Sequence, residues 1–74
     1  MAIRFKLKSL IEQKSIATNR KITYKDIAAE ANVSQTTLTQ MANQRMKHIG
    51  LITIDKLCGY FNCQPGDLMI YISD

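Results

Sequence analysis

The chain has 74 residues, 46% of them hydrophobic, and a formal charge of +4 from ten Lys or Arg against six Asp or Glu. That length suits one small domain, residues 1–74, near the size at which a single core is marginal and compact helix packing or oligomerisation helps. The longest unbroken apolar run, Leu68 to Ile72, is far short of the roughly 20 residues that cross a bilayer, and Arg4, Lys6 and Lys8 interrupt an N-terminus that a signal peptide would keep apolar. No membrane span is expected, and a cytoplasmic protein follows.

Ile3, Phe5 and Leu7 alternate with Arg4, Lys6 and Lys8, the period of two of a strand. Leu10, Ile11 and the aliphatic stem of Lys14 then take up helical spacing. The pattern predicts a short strand near residues 2–6 and a first helix over about 7–16, with a helix reaching back to residue 3 as the alternative. A polar connection over residues 17–21 brings Arg20 and Lys21 to the start of the next helix.

Residues 23–43 read as two short helices joined by a tight turn. Thr23 is placed to cap the first, with Asp26 three residues on, and Ile22 can staple against Ile27. Ser34 repeats the device with Val33 and Leu38. Between them, Ala31-Asn32-Val33 must reverse the chain, and Asn tolerates the left-handed backbone that such a turn uses. On the second helix Ser34, Leu38, Met41 and Ala42 form a core-facing stripe, and Gln35, Thr36, Thr39, Gln40 and Asn43 form the opposite one. An ordinary solvated face would hold Lys, Glu and Arg. Thr and Asn each cost roughly 0.5 kcal/mol relative to Ala in a helix, so helix formation did not select them. Gln and Asn can pair with adenine N6 and N7, Thr can meet the thymine methyl, and a helix bearing them fits the major groove.

These residues resemble the helix-turn-helix of the Cro/C1-type bacterial and phage repressors. Ala28, Asn32 and Leu38 stand where that family has a small residue, a turn residue and an aliphatic residue, flanked by Ile27, Ala31, Val33 and Met41. Asn32 departs from the usual Gly, and Tyr24 stands where many members have Gln. The resemblance extends more loosely over nearly the whole chain, including the stretch from Asn62 to Leu68. It implies a mainly α, five-helix lambda-repressor-like DNA-binding domain that acts as a homodimer on double-stranded operator DNA. By the same token Gln35, Thr36, Thr39, Gln40 and Asn43 would read bases, while Arg20, Tyr24, Lys25, Thr37, Arg45 and Lys47 would hold the DNA backbone.

Residues 44–50 lack periodicity and end in Gly, so a loop is expected, with Arg45, Lys47 and His48 available to phosphates. A third cap-and-staple pattern, Ile52, Thr53 and Leu57, predicts a helix over residues 54–61 that buries Ile54, Leu57, Cys58 and Phe61. Cys58 and Cys63 have C-x4-C spacing and only His48 as a further soft ligand, which does not make a zinc site and reads as buried thiols. Pro65 suits the first turn of a last short helix, reaching Met69 or Ile70, with Asp67 near its positive end. Met69, Ile70, Tyr71 and Ile72 are too apolar to stand in water. They can pair as a strand with the N-terminal one, within the chain or across a dimer, and are the candidate dimer interface.

Up to Lys47 the chain holds nine Lys or Arg against three acidic residues, and beyond it one against three. The basic part coincides with the helix-turn-helix, the footprint of a nucleic-acid binder. With one His, no metal-ligand cluster, no Gly-rich phosphate loop and no nucleophile beside a base, an enzyme is not expected, nor are a cofactor or a small-molecule ligand. The competing reading is a protein-interaction module, an antitoxin or adaptor, in which the apolar tail binds a partner and the Gln/Thr face tolerates substitution.

Overall fold

The computed structural model describes residues 2–73. In chain order the elements are β1 (Ile3–Phe5), α1 (Leu7–Thr18), α2 (Tyr24–Ala31), α3 (Gln35–Ala42), α4 (Leu51–Phe61), α5 (Pro65–Leu68) and β2 (Met69–Tyr71). The architecture is mainly helical, five helices with one two-stranded antiparallel sheet. The sheet closes within the chain: Ile3, Arg4 and Phe5 face Tyr71, Ile70 and Met69. Its ladder continues from Lys6 N–H to Leu68 O at 2.6 Å and from Ile72 N–H to Ala2 O at 2.9 Å.

Each helix contributes apolar residues to one core. Leu7, Ile27, Leu38, Met41, Leu57 and Leu68 are fully buried, and Ile22 and Val33 close the core from the turns. Both cap-and-staple patterns around the central helix pair form as the sequence predicts. Asp26 N–H donates to Thr23 Oγ1 at 3.2 Å while Thr23 N–H donates to the Asp26 carboxylate at 3.0 Å. Thr37 N–H likewise donates to Ser34 Oγ at 3.0 Å. The staple residues Ile22 with Ile27, and Val33 with Leu38, are buried.

The third pattern does not form. α4 begins at Leu51 with Gly50 as its extended N-cap, and Thr53 and Ile54 N–H both donate to Gly50 O, at 3.1 and 3.2 Å. Thr53 therefore lies inside the first turn, and Leu51 and Ile52 are 82% and 72% exposed. Once Gly50 supplies the cap carbonyl, the helix can start one turn earlier than the Thr signal implies. α1 also runs past residue 16 to Thr18, whose hydroxyl donates to Lys14 O at 2.8 Å. α5 stops earlier than expected, at Leu68, because Met69 is already extended in the sheet.

Among the described residues Asn19, Asn32, Gln44 and Asn62 have positive φ, each at or next to a helix end. Asn62 ends α4 by a Schellman turn in which Cys63 N–H donates to Cys58 O at 3.0 Å. Cys58 and Cys63 are thereby brought to the apolar contact that accompanies this turn. Both thiols are free and half-buried, and burial, with Cys58 beside it, pushes the Cys63 thiol above its ordinary range.

Candidate nucleic-acid interface

α3 has two faces of opposite character. Leu38, Met41 and Ala42 are buried, which locks the helix about its axis and leaves Gln35, Thr36, Thr39 and Gln40 exposed. Asn43, also exposed, is the residue just beyond the helix end. Eight residues at about 1.5 Å each give roughly 12 Å of helix, matched in scale to the width of the major groove. Ser34 and Val33 belong to the turn, so Gln35 and Thr36 stand at the positive, N-terminal end of α3.

The hydroxyls divide according to their bonds. Thr39 Oγ1 donates to Gln35 O at 2.9 Å, so that side chain offers outward only its methyl group and an acceptor oxygen. The half-buried Thr37 is differently placed: its oxygen accepts from Ser34 Oγ at 2.9 Å, and its own proton stays available for a phosphate oxygen. Gln35, Thr36, Gln40 and Asn43 have no side-chain hydrogen bond among the described residues, so their groups remain open to base edges.

Around α3 the cations lie on several elements. Lys25 stands exposed in the first turn of α2, where the helix dipole disfavours a cation, so local stability does not account for it. Tyr24, beside it, is half-buried against the core. Arg20 is held by Glu30 at 3.6 Å, both side chains about half exposed, which orients the guanidinium and reduces its charge towards a ligand. In the loop after α3, Met46 and Ile49 pack against the core while Arg45, Lys47 and His48 are exposed. The stretch read as featureless is thus pinned at two apolar points with its cations turned outward. His48 gathers with no metal partner: among the described residues no three His, Cys, Asp or Glu side chains lie together as ligands.

The turn between α2 and α3 carries Asn32 at φ 59°, as expected for a residue standing in place of Gly. Lys56 of α4 donates to its carbonyl at 3.3 Å, bracing the motif from below. With two capped helices, a left-handed turn and an outward amide and hydroxyl face, α2 and α3 have the geometry of a helix-turn-helix. A sequence model of the Cro/C1-type HTH DNA-binding domain matches residues 6–74.

The chain belongs to the Cro/C1-type HTH DNA-binding domain family. Among its relatives is an uncharacterized HTH-type transcriptional regulator, YozG, of Bacillus subtilis (strain 168), 31% identical over 55 residues that make up 74% of this chain. The match spans 66% of that protein, just under two thirds of its length. In this Cro/C1-type domain no helix among the described residues is long and apolar enough to cross a membrane.

Two residues with structural parts in the Cro/C1-type site gave no sequence signal. Lys56 reads as an ordinary surface lysine of α4, and Gln44 as part of a loop, because their partners lie 24 and 39 residues away.

Proposed function

We propose that this chain is a sequence-specific, double-stranded-DNA-binding transcriptional regulator, a repressor that acts as a homodimer by occupying a two-fold operator. The observation that carries the reading is the exposed face of α3, amides and hydroxyls where solvent alone would favour Lys and Glu. Gln35 and Thr36 lead into the major groove, with Thr39, Gln40 and Asn43 reading further along it. Tyr24, Lys25, Thr37, Arg45 and Lys47 hold phosphates, and Arg20 does so when it leaves Glu30. Phosphate contacts set register and orientation, and base contacts set sequence.

A homodimer follows from the geometry of operators: one eight-residue recognition helix makes few base contacts, and coupling two raises their effective concentration. The candidate surface is the outer edge of β2. Ladder bonds to β1 come from residues 68, 70 and 72, so Tyr71 turns its backbone groups outward, and its side chain is 70% exposed beside exposed Ile70 and Ile72. Met69 is half-buried and belongs more to the core than to this edge. The reading treats 1–74 as one domain acting in the cytoplasm.

Selection from a random duplex-DNA library at near-physiological salt tests it. A palindromic motif with half-sites about one helical turn apart is expected. No enrichment, with binding that disappears as salt rises, would instead favour the adaptor or antitoxin reading, for which the exposed Leu51, Ile52, Tyr71 and Ile72 are the supporting observation.

A further inference from the structure

Gln44 is, among the described residues, the one with positive φ that is neither Gly nor Asn; its φ is 58°. A residue chosen for that backbone alone would be Gly or Asn. It ends α3 by a Schellman turn, with Gln44 N–H donating to Met41 O at 3.1 Å and Arg45 N–H to Gln40 O at 2.9 Å. From this turn its side chain reaches β1. Phe5 N–H donates to Gln44 Oε1 at 2.8 Å, and Gln44 Nε2 donates to Phe5 O at 2.9 Å.

The two Phe5 groups are those that face away from β2, because Ala2 and Lys6 supply the neighbouring ladder bonds. One planar amide therefore closes the outer edge of β1 as a rung of a third strand would. Both residues are half-buried, so solvent screens the pair only in part. The end of α3 that carries Gln40, Asn43 and Arg45 is joined by two hydrogen bonds to a sheet made of both ends of the chain.

We propose that Gln44 is a positioning residue for DNA recognition: by clamping Phe5 it fixes the tilt of α3 against the terminal sheet before DNA arrives. It touches no base or phosphate. At its N-terminal end α3 is held by the Ser34 cap and the Val33 turn; at its C-terminal end Met41 and Ala42 pack without direction, and the amide clamp adds the directional restraint. Base readout needs that restraint, because paired hydrogen bonds to a base edge tolerate little misplacement, and a preorganised site does not spend binding energy on ordering itself. The inference rests on the DNA-reading function above.

The test uses the full chain with Q44G and Q44N, the duplex enriched by the wild type, and a scrambled duplex. Glycine and asparagine both accept the left-handed turn, but the first has no side chain and the second is one methylene too short to reach. Both variants are expected to keep the helical circular dichroism spectrum and to bind the scrambled duplex with unchanged salt slope. Their preference for the enriched duplex should fall roughly tenfold. Should either variant melt below the assay temperature, the comparison is run at a lower temperature at which its helical spectrum is intact. Amide exchange gives a second readout: Phe5 N–H should be protected in the wild type and exchange faster in every variant. Unchanged preference, equal weakening on both duplexes, or an unprotected Phe5 amide in the wild type would overturn the role. A wild type that enriches no sequence would overturn the DNA-reading function itself.

Discussion

Gln35 and Lys47 make the sharpest contrast at the scale of single residues. Both are exposed, yet one presents an amide from a locked helix face and the other a cation from a loop pinned at Met46 and Ile49. Gln35→Ala is expected to cost about 1–3 kcal/mol at one base position and to relax specificity there. Lys47→Ala should weaken binding to every duplex alike and reduce the salt slope by about 1. Salt titrations of the two variants on operator and random DNA separate these effects, and identical slopes would count against the phosphate role of Lys47. Two titratable groups bear on stability. Burial, with Glu30 nearby, raises the Tyr60 phenol from 10.0 to about 12, and its buried hydroxyl has no hydrogen-bond partner within ordinary geometry among the described residues. A raised folded value means that the unfolded chain loses its proton first. The stability Tyr60 contributes is therefore intact below pH 10 and is lost as pH climbs to about 12. Urea midpoints over that interval should fall for the wild type and fall less for Tyr60→Phe. Asp26 behaves oppositely: the Thr23 backbone and hydroxyl bonds hold its carboxyl below the usual range, so its contribution is intact above the ordinary value of 3.8 and is lost as pH falls from there through the lowered value.

Elements differ in how their ends are fixed, and that decides which boundaries follow from local sequence. α2 and α3 start on side-chain caps whose acceptors lie three residues from their donors, so Thr23 and Ser34 are legible as starts. Thr23→Ala or Ser34→Ala should each lower stability by about 1 kcal/mol in chemical denaturation. α4 starts on a backbone carbonyl, that of Gly50, and the Thr53 signal inside it was misleading because a β-branched residue also fits a first turn. α5 ends where β2 claims Met69, a competition between helix and strand settled by a partner strand at the other end of the chain. Lys14 shows the same dependence on distant partners. Its apolar stem was readable from helical spacing, but its ammonium lies 4.6 Å from the Tyr60 ring centroid and 3.3 Å from the Tyr60 carbonyl, positions that α4 alone provides.

For the molecule as a whole, size and symmetry set the terms. The described residues extend 37 × 21 × 19 Å, and a chain with one recognition helix meets one half-site, whereas half-sites lie about 34 Å apart along B-DNA. In the proposed homodimer the second copy joins through a surface that leaves α3 outward. The open edge of β2 offers main-chain groups and, from Ile70 to Ile72, no charge to repel its counterpart. Truncating the tail is a poor test, because the same strand holds β1 inside the chain. Tyr71→Lys is better: an exposed cation on an edge strand blocks pairing without touching the core. It should leave the melting temperature of the isolated fold little changed, convert dimers to monomers in analytical ultracentrifugation, and weaken operator binding. Persistence of the dimer would place the interface elsewhere, with exposed Leu51 and Ile52 as the next surface to substitute.

By itself the sequence determined the helix-turn-helix, the family and the polar face of α3, since caps, staples and amphipathic stripes work between residues no more than a few positions apart. Tertiary structure alone decided that the terminal strands pair within one chain, that Arg20 leans on Glu30, and that Gln44 grips Phe5. Those outcomes depend on groups brought together across 10 to 70 residues, where charge, spacing and propensity along the chain carry no information about which partners meet.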